Sequence, residues 1–168
     1  VRVYESMSSQ RVIFFIIFTV CIGLLGFGLY LEHVVGLEPC PLCIFQRVAY
    51  IVIAVISLIG AIHNPQKLFE RIYASLILIA SLCGAGIAGR QIWLQHLPED
   101  KIPECGPGLE YMLDTFPFTD ALRMILSGSG ECAEVQWTFL SFSIAEWSIV
   151  CFSGLIITCL TVLLRQKN

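Results

Sequence analysis

The sequence predicts an all-α membrane protein, a four-transmembrane-helix bundle with one long outer loop carrying a short membrane-surface helix. Three observations carry that prediction. The 168 residues are 57% hydrophobic and only 14% charged, with a mean hydropathy of +0.80, which leaves too little polar side chain to cover a water-soluble domain. Separate apolar stretches reach the roughly 20 residues that a helix needs to cross about 30 Å of hydrocarbon. Lysine and arginine gather at alternate connections between those stretches. The net charge of −3 argues against a nucleic-acid partner, which would need a basic face.

Val12–Leu31 is the first span. Its apolar run exceeds a signal-peptide core and no small-residue cleavage pattern follows Leu31, so it is expected to be retained. Ile44–Ile62, Ile72–Ile92 and Ile144–Leu164 are the other three. Arg2 and Arg11 precede the first span, Lys67 and Arg71 separate the second from the third, and Arg165 and Lys167 follow the fourth. All six fall on one side, which the positive-inside rule makes cytoplasmic, with both termini. Connections 32–43 and 93–143 fall on the opposite side and are rich in Glu and Asp. No repeat or composition shift divides residues 1–168, so a single membrane domain is expected.

A connection as long as 93–143 usually carries function. Its ends hold loop chemistry, Leu97-Pro98-Glu99-Asp100, Cys105-Gly106-Pro107-Gly108 and Ser127-Gly128-Ser129-Gly130. Between them, Ala121, Leu122, Ile125 and Leu126 fall at helical spacing, and Asp120–Leu126 reads as a short amphipathic helix. It either lies on the outer membrane surface or packs on the tops of the spans. In the third span Ser81, Ala85 and Gly89, and also Ala80, Gly84 and Ala88, recur every four residues and offer faces where another backbone can come close. Gly23, Gly26 and Gly28 suggest the same for the first.

Eight cysteines divide by position. Cys21, Cys83, Cys151 and Cys159 lie within spans, where a thiol acts as a small apolar group. Cys40, Cys43, Cys105 and Cys132 all fall on the non-cytosolic side, where disulfides persist. Cys40-Pro41-Leu42-Cys43 begins a helix, with proline where its missing N–H costs nothing. The helix terminus, and Arg47 one turn further along the same face, favour a thiolate at Cys43. Arginine at the edge of a span is costly unless something polar or anionic uses it; headgroups are the plainer user, but the closeness of Arg47 to the CxxC favours a functional one. The second thiol pair is not a CxxC and no histidine has finger-like spacing to it, so a zinc site is not expected.

Cys105 and Cys132 would close a loop of about 28 residues, and a bond there would be worth about 3.6 kcal/mol by chain entropy. That staple could be its whole purpose. Alternatively, the Gly- and Pro-rich flanks expose both sulfurs to an incoming thiolate, and the two pairs form a relay that passes electrons inward. No haem, nucleotide or iron–sulfur motif accompanies them, so a lipid-soluble acceptor such as a quinone, beside Cys43, is the economical choice. His96, at the outer end of the third span with Arg90, Gln91 and Trp93, either hydrogen-bonds a quinone carbonyl or sits among headgroups.

Three segments carry a family resemblance: Pro39-Cys40-Pro41-Leu42-Cys43-Ile44-Phe45-Gln46-Arg47, Gly89-Arg90-Gln91-Ile92-Trp93-Leu94-Gln95-His96 and Gly130-Glu131-Cys132-Ala133-Glu134-Val135-Gln136-Trp137. With four spans and two outer cysteine pairs, the chain resembles the DsbB family of bacterial inner-membrane proteins over nearly its full length. The resemblance implies a long periplasmic loop and reoxidation of a DsbA-like thioredoxin-fold oxidase, with electrons delivered to ubiquinone or menaquinone. It implies that Cys105 receives the partner's thiolate, Cys132 exchanges with Cys40, Cys43 faces the quinone, and Arg47 and His96 stand on the quinone side. The residue before the arginine, acidic in some members, is Gln46 here, so no acid–base role transfers to it. Two rival readings are a vitamin K epoxide reductase-like enzyme, in which the loop pair precedes the CxxC, and a non-catalytic four-span scaffold with a structural disulfide loop.

Overall fold

A computed structural model of the chain describes residues 2–63, 65–101 and 109–165. The long helices are α1 (Arg2–His33), α2 (Pro41–His63), α3 (Lys67–Gln95) and α7 (Ile144–Arg165). Each contains a stretch long and apolar enough to cross a membrane, that of α1 running from Arg11 to His33. The chain is therefore a multi-pass membrane protein. The first three helices overrun the expected spans at both ends and α7 by one residue at its C-terminal end, because intrahelical hydrogen bonds continue into the polar boundary where water can also serve the backbone.

Between α3 and α7 lie a 3-10 turn at Glu99–Lys101, then α4 (Leu109–Thr115), α5 (Phe118–Ser127), α6 (Gly130–Ala133) and a two-stranded hairpin of β1 (Thr138–Phe139) and β2 (Phe142–Ser143). The all-α four-helix expectation holds, with this short hairpin added in the long connection. Leu140 and Ser141 turn it with φ of 53° and 68°, the sense that matches the twist of paired strands. Strands this short leave no periodic signal in a sequence.

The long helices pack in the order α1, α2, α3, α7, while α1 and α7 make few contacts with each other among the described residues. That arrangement leaves a seam. The mid-membrane core includes Ile17 and Cys21 of α1, Tyr50 and Ile53 of α2, Ile77 of α3 and Phe152 of α7. Tyr50 and Phe152 stack with ring centroids 4.3 Å apart and planes 5° from parallel. Phe152 fits because position 84 is glycine: a Cβ there would stand 2.3 Å from its ring. Apolar burial earns little inside a lipid bilayer, so this close contact is what joins α3 to α7. The α1 glycines behave otherwise. Gly23 and Gly26 have nothing within 4 Å of an added Cβ, and only Gly28 meets a neighbour, the Arg47 guanidinium.

A second core sits at the outer end and joins Leu42, Leu94, Met112, Ala121, Ile125 and Cys132. Of the two readings of Asp120–Leu126, the structure has the second: Ala121 and Ile125 of α5 are buried against the tops of α2 and α3. This outer core, and not the membrane core, positions the cysteines.

Candidate redox site

The start of α2 builds the site. Cys40 takes the N-cap position, and the Cys43 N–H donates to Cys40 Sγ at 3.3 Å, so the sulfur occupies the place of a capping oxygen. Pro41 has no N–H to satisfy. The remaining free donor of this turn, the Leu42 N–H, is directed at Cys132 Sγ. The positive end of α2 therefore serves Cys40 and Cys132, whereas the spacing of the motif suggested Cys43 as the beneficiary.

Cys132 is fully buried on α6, which corrects its expected place in an exposed, mobile loop. Gly128, Ser129 and Gly130 read as flexible chain, yet here they allow close approach. Gly128 has φ +85°, and a Cβ on it would stand 2.3 Å from Leu94 Cδ1. From α3, Arg90 holds the preceding turn, donating from Nη2 to the Ser127 carbonyl at 2.8 Å and from Nε to that of Leu126 at 3.3 Å. Its guanidinium lies 4.2 Å from the Trp93 ring centre.

The three sulfurs form one hydrogen-bonded group. Cys40 donates to Cys43 with the sulfurs 2.9 Å apart and is also hydrogen-bonded to Cys132. The bond with Cys40, backed by the Leu42 and Ser129 N–H groups and the Ser129 hydroxyl, lowers the Cys132 thiol to about 6 against the cost of burial. Cys40 moves the other way, because it must stay protonated to donate to Cys132 and Cys43 and because it is buried. At neutral pH Cys132 is thus the thiolate and Cys40 the thiol. In the fully reduced chain, the thiolate ultraviolet absorbance that Cys132→Ser removes should titrate with a midpoint near pH 6. A midpoint near the ordinary thiol value would contradict this geometry.

Besides Cys40, Cys43 draws its side-chain partner from α3. Gln91 Nε2 stands 3.2 Å from Cys43 Sγ and 3.4 Å from Cys40 Sγ, and Gln46 Nε2 donates to Gln91 Oε1 at 2.7 Å. Arg47 points to α1, donating from Nη1 to Glu32 Oε2 and from Nη2 to the Gly28 carbonyl at 3.0 Å. Glu32 read as a loop acid in sequence, but α1 continues through it to His33. Gln46, Gln91 and Glu32 are the site residues that motif reading passed over. A glutamine just inside the outer end of an apolar span was the available signal for the first two.

Cys43 and Arg47 both line a cavity of about 520 Å³ bounded by α1, α2, α7, the Gln91 and Gln95 edge of α3 and the chain from 131 to 143. Leu24, Phe27, Tyr50 and Trp147 contribute apolar wall, and Trp137 meets Phe27 edge to face, 5.6 Å between ring centres. A cleft of about 310 Å³ follows the α1–α7 seam toward Ile13 and Thr158 and shares the Cys151 wall. His96 is elsewhere: exposed at the C-cap of α3, its Nδ1 lies 2.8 Å from the Ile92 carbonyl, and it does not line the cavity. Cys105 lies outside the described residues.

The family model for "Disulfide bond formation protein DsbB" matches residues 10–162. The chain belongs to the DsbB family. Disulfide bond formation protein B of Hahella chejuensis is 51% identical to it over 146 residues, covering 87% of this chain and 88% of that one. Its counterpart from Aromatoleum aromaticum is 48% identical over 160 residues, 95% and 96% of the two chains. The protein of Acinetobacter baumannii is 51% identical over 142 residues, 84% and 83%. As a DsbB-family member the chain is a membrane disulfide bond formation protein, a disulfide-forming oxidoreductase, which sets the scaffold reading aside.

Proposed function

We propose that this DsbB-family chain reoxidises a DsbA-like periplasmic dithiol oxidase and passes the electrons through its two cysteine pairs to a membrane quinone. The observation that carries the reading is the cluster of Cys132, Cys40 and Cys43, whose last member opens onto an apolar cavity at the seam. The bilayer is the bacterial inner membrane, with both termini cytoplasmic and the redox connections periplasmic, in keeping with the lysine and arginine distribution.

In this reading the partner's thiolate attacks Cys105 Sγ of a Cys105–Cys132 bond, and Cys132 leaves as a thiolate. That thiolate, favoured by the N-terminus of α2, attacks Cys40 Sγ of the Cys40–Cys43 bond and displaces Cys43 as a thiolate. The partner's second thiol then resolves its mixed disulfide with Cys105. Cys105 reclaims Cys132, and Cys40 and Cys43 remain as a dithiol. Every step exchanges one S–S bond for another, so two electrons arrive at the CxxC with no other reagent consumed.

A cavity of this volume and apolar lining suits a quinone ring, with the seam open to lipid for an isoprenoid tail. Arg47 is the cation on its wall, and Glu32 balances that charge. When bound, ubiquinone or menaquinone supplies the acceptor for two electrons and two protons. Cys40 and Cys43 release that number as their S–S bond re-forms. His96 lies too far round α3 to line this cavity and is assigned no contact in it.

The test uses purified protein, a reduced thioredoxin-fold dithiol oxidase and either quinone, without oxygen. Partner thiols should disappear only when quinone is present, and Cys105→Ser should reduce that rate to background. Normal oxidation by Cys105→Ser would remove the loop pair from the path.

A further inference from the structure

We infer that Gln91 is a catalytic residue of the CxxC, its carboxamide donating to the sulfur that is displaced and regained in each cycle, and that Gln46 is the positioning residue that aims it. The inference rests on the relay above and adds a role to side chains that the relay does not name.

Gln91 and Gln46 are each only 4% exposed, on α3 and α2 respectively. A carboxamide so placed is costly unless its polar atoms are paired. A simple helix-to-helix tie would need just the bond between the two glutamines. The geometry goes further. Gln46 Nε2 donates to Gln91 Oε1 at 2.7 Å, which leaves the Gln91 NH2 the nearer end to the sulfurs, 3.2 Å from Cys43 and 3.4 Å from Cys40, while Oε1, 3.6 Å from Cys43 Sγ, can accept from the thiol but not from the thiolate. Were the amide reversed, its oxygen would be the end nearest the sulfurs and repel a thiolate. Gln46 fixes the direction of the dipole from a position one turn beyond Leu42, so a single hydrogen bond sets which end of Gln91 the chemistry meets.

The step served is the exchange in which the Cys132 thiolate forms a bond to Cys40 Sγ while the Cys40–Cys43 bond breaks. The bonding pair leaves on Cys43 Sγ, no proton moves, and no further oxidant is required. Cys43 Sγ has one backbone donor, at Cys40, where Cys132 has two, and Arg47 directs Nη1 and Nη2 to Glu32 and Gly28. Gln91 Nε2 is thus the side-chain donor placed to receive the charge that develops on Cys43.

The experiment measures the rate at which N-ethylmaleimide modifies Cys43 against pH, in reduced, quinone-free protein, by mass spectrometry. Gln91→Met should move the profile to higher pH and slow the reaction at neutral pH by about tenfold, as expected for loss of one hydrogen bond to a charged group. Gln46→Met should shift it in the same direction by less, because it frees the amide to turn without removing it. Profiles that coincide with the parent's would overturn the inference. If Gln91→Met does not fold, Gln46→Met decides alone, since a mere tie between helices would leave its pH profile unmoved. Failure of the parent chain to oxidise any partner would count against the relay, whereas an unmoved profile in an active parent counts against Gln91.

Discussion

Cys43→Ser should accumulate a disulfide between Cys40 and Cys132 and oxidise its partner at the background rate. In the structure Cys132 is hydrogen-bonded to Cys40, so with Cys43 replaced the Cys40 thiolate can attack Cys132 Sγ of a Cys105–Cys132 bond, releasing Cys105 as a thiol, and no Cys43 thiolate is there to break the new bond. Nothing then carries electrons to the cavity wall. Non-reducing peptide mapping of the purified variant locates the bond. A variant that turns over normally, or whose Cys40 stays a free thiol under oxidising conditions, would mean that the cluster at the mouth of α2 is not the route.

Gly128→Ala should reduce partner oxidation by at least about tenfold while sparing quinone reduction by a small dithiol that reaches the CxxC directly. Gly128 has φ +85° and ψ 150°, a region essentially closed to other residues and costing of order 1–3 kcal/mol to occupy. The new methyl would also stand 2.3 Å from Cδ1 of the fully buried Leu94. Overpacking of that kind adds typically 1–3 kcal/mol. The cheaper outcome is for the segment leading to α6 to lift, which carries Cys132 away from Cys40 and from the Leu42 N–H. The absorbance midpoint of Cys132 should therefore rise together with the loss of turnover. Equal loss with partner and with small dithiol would point to general unfolding instead.

The four spans were legible because hydrocarbon imposes a length and a composition that few other sequences meet, and the CxxC because proline and cysteine at a helix start have a specific geometry. The surroundings of the sulfurs were not. Gln91 followed Arg90 near a span end and read as boundary polarity, whereas its side chain turns inward to Cys43. Glu32 lay one residue past the apolar run, so its pairing with Arg47 depended on how far α1 continued as helix. At Cys132 the misleading cue was the Gly-Ser-Gly run. Small residues signal mobility when nothing lies beside them and close packing when something does, and only the tertiary position of Leu94 separates the two cases. Among the span cysteines, burial of Cys21 and Cys159 agrees with packing, while Cys151 lies on the cavity wall, a place no periodicity could have shown.

The central claim is that electrons leave the chain at Cys43 into a quinone held in the apolar cavity. It is tested most directly by anaerobic titration of the fully reduced protein, with no partner present, while the ultraviolet quinone band and the free thiols are followed together. The account predicts one quinone reduced for each cysteine pair oxidised, with Cys43→Ser silent. Thiols that persist beside an unchanged quinone band would contradict it.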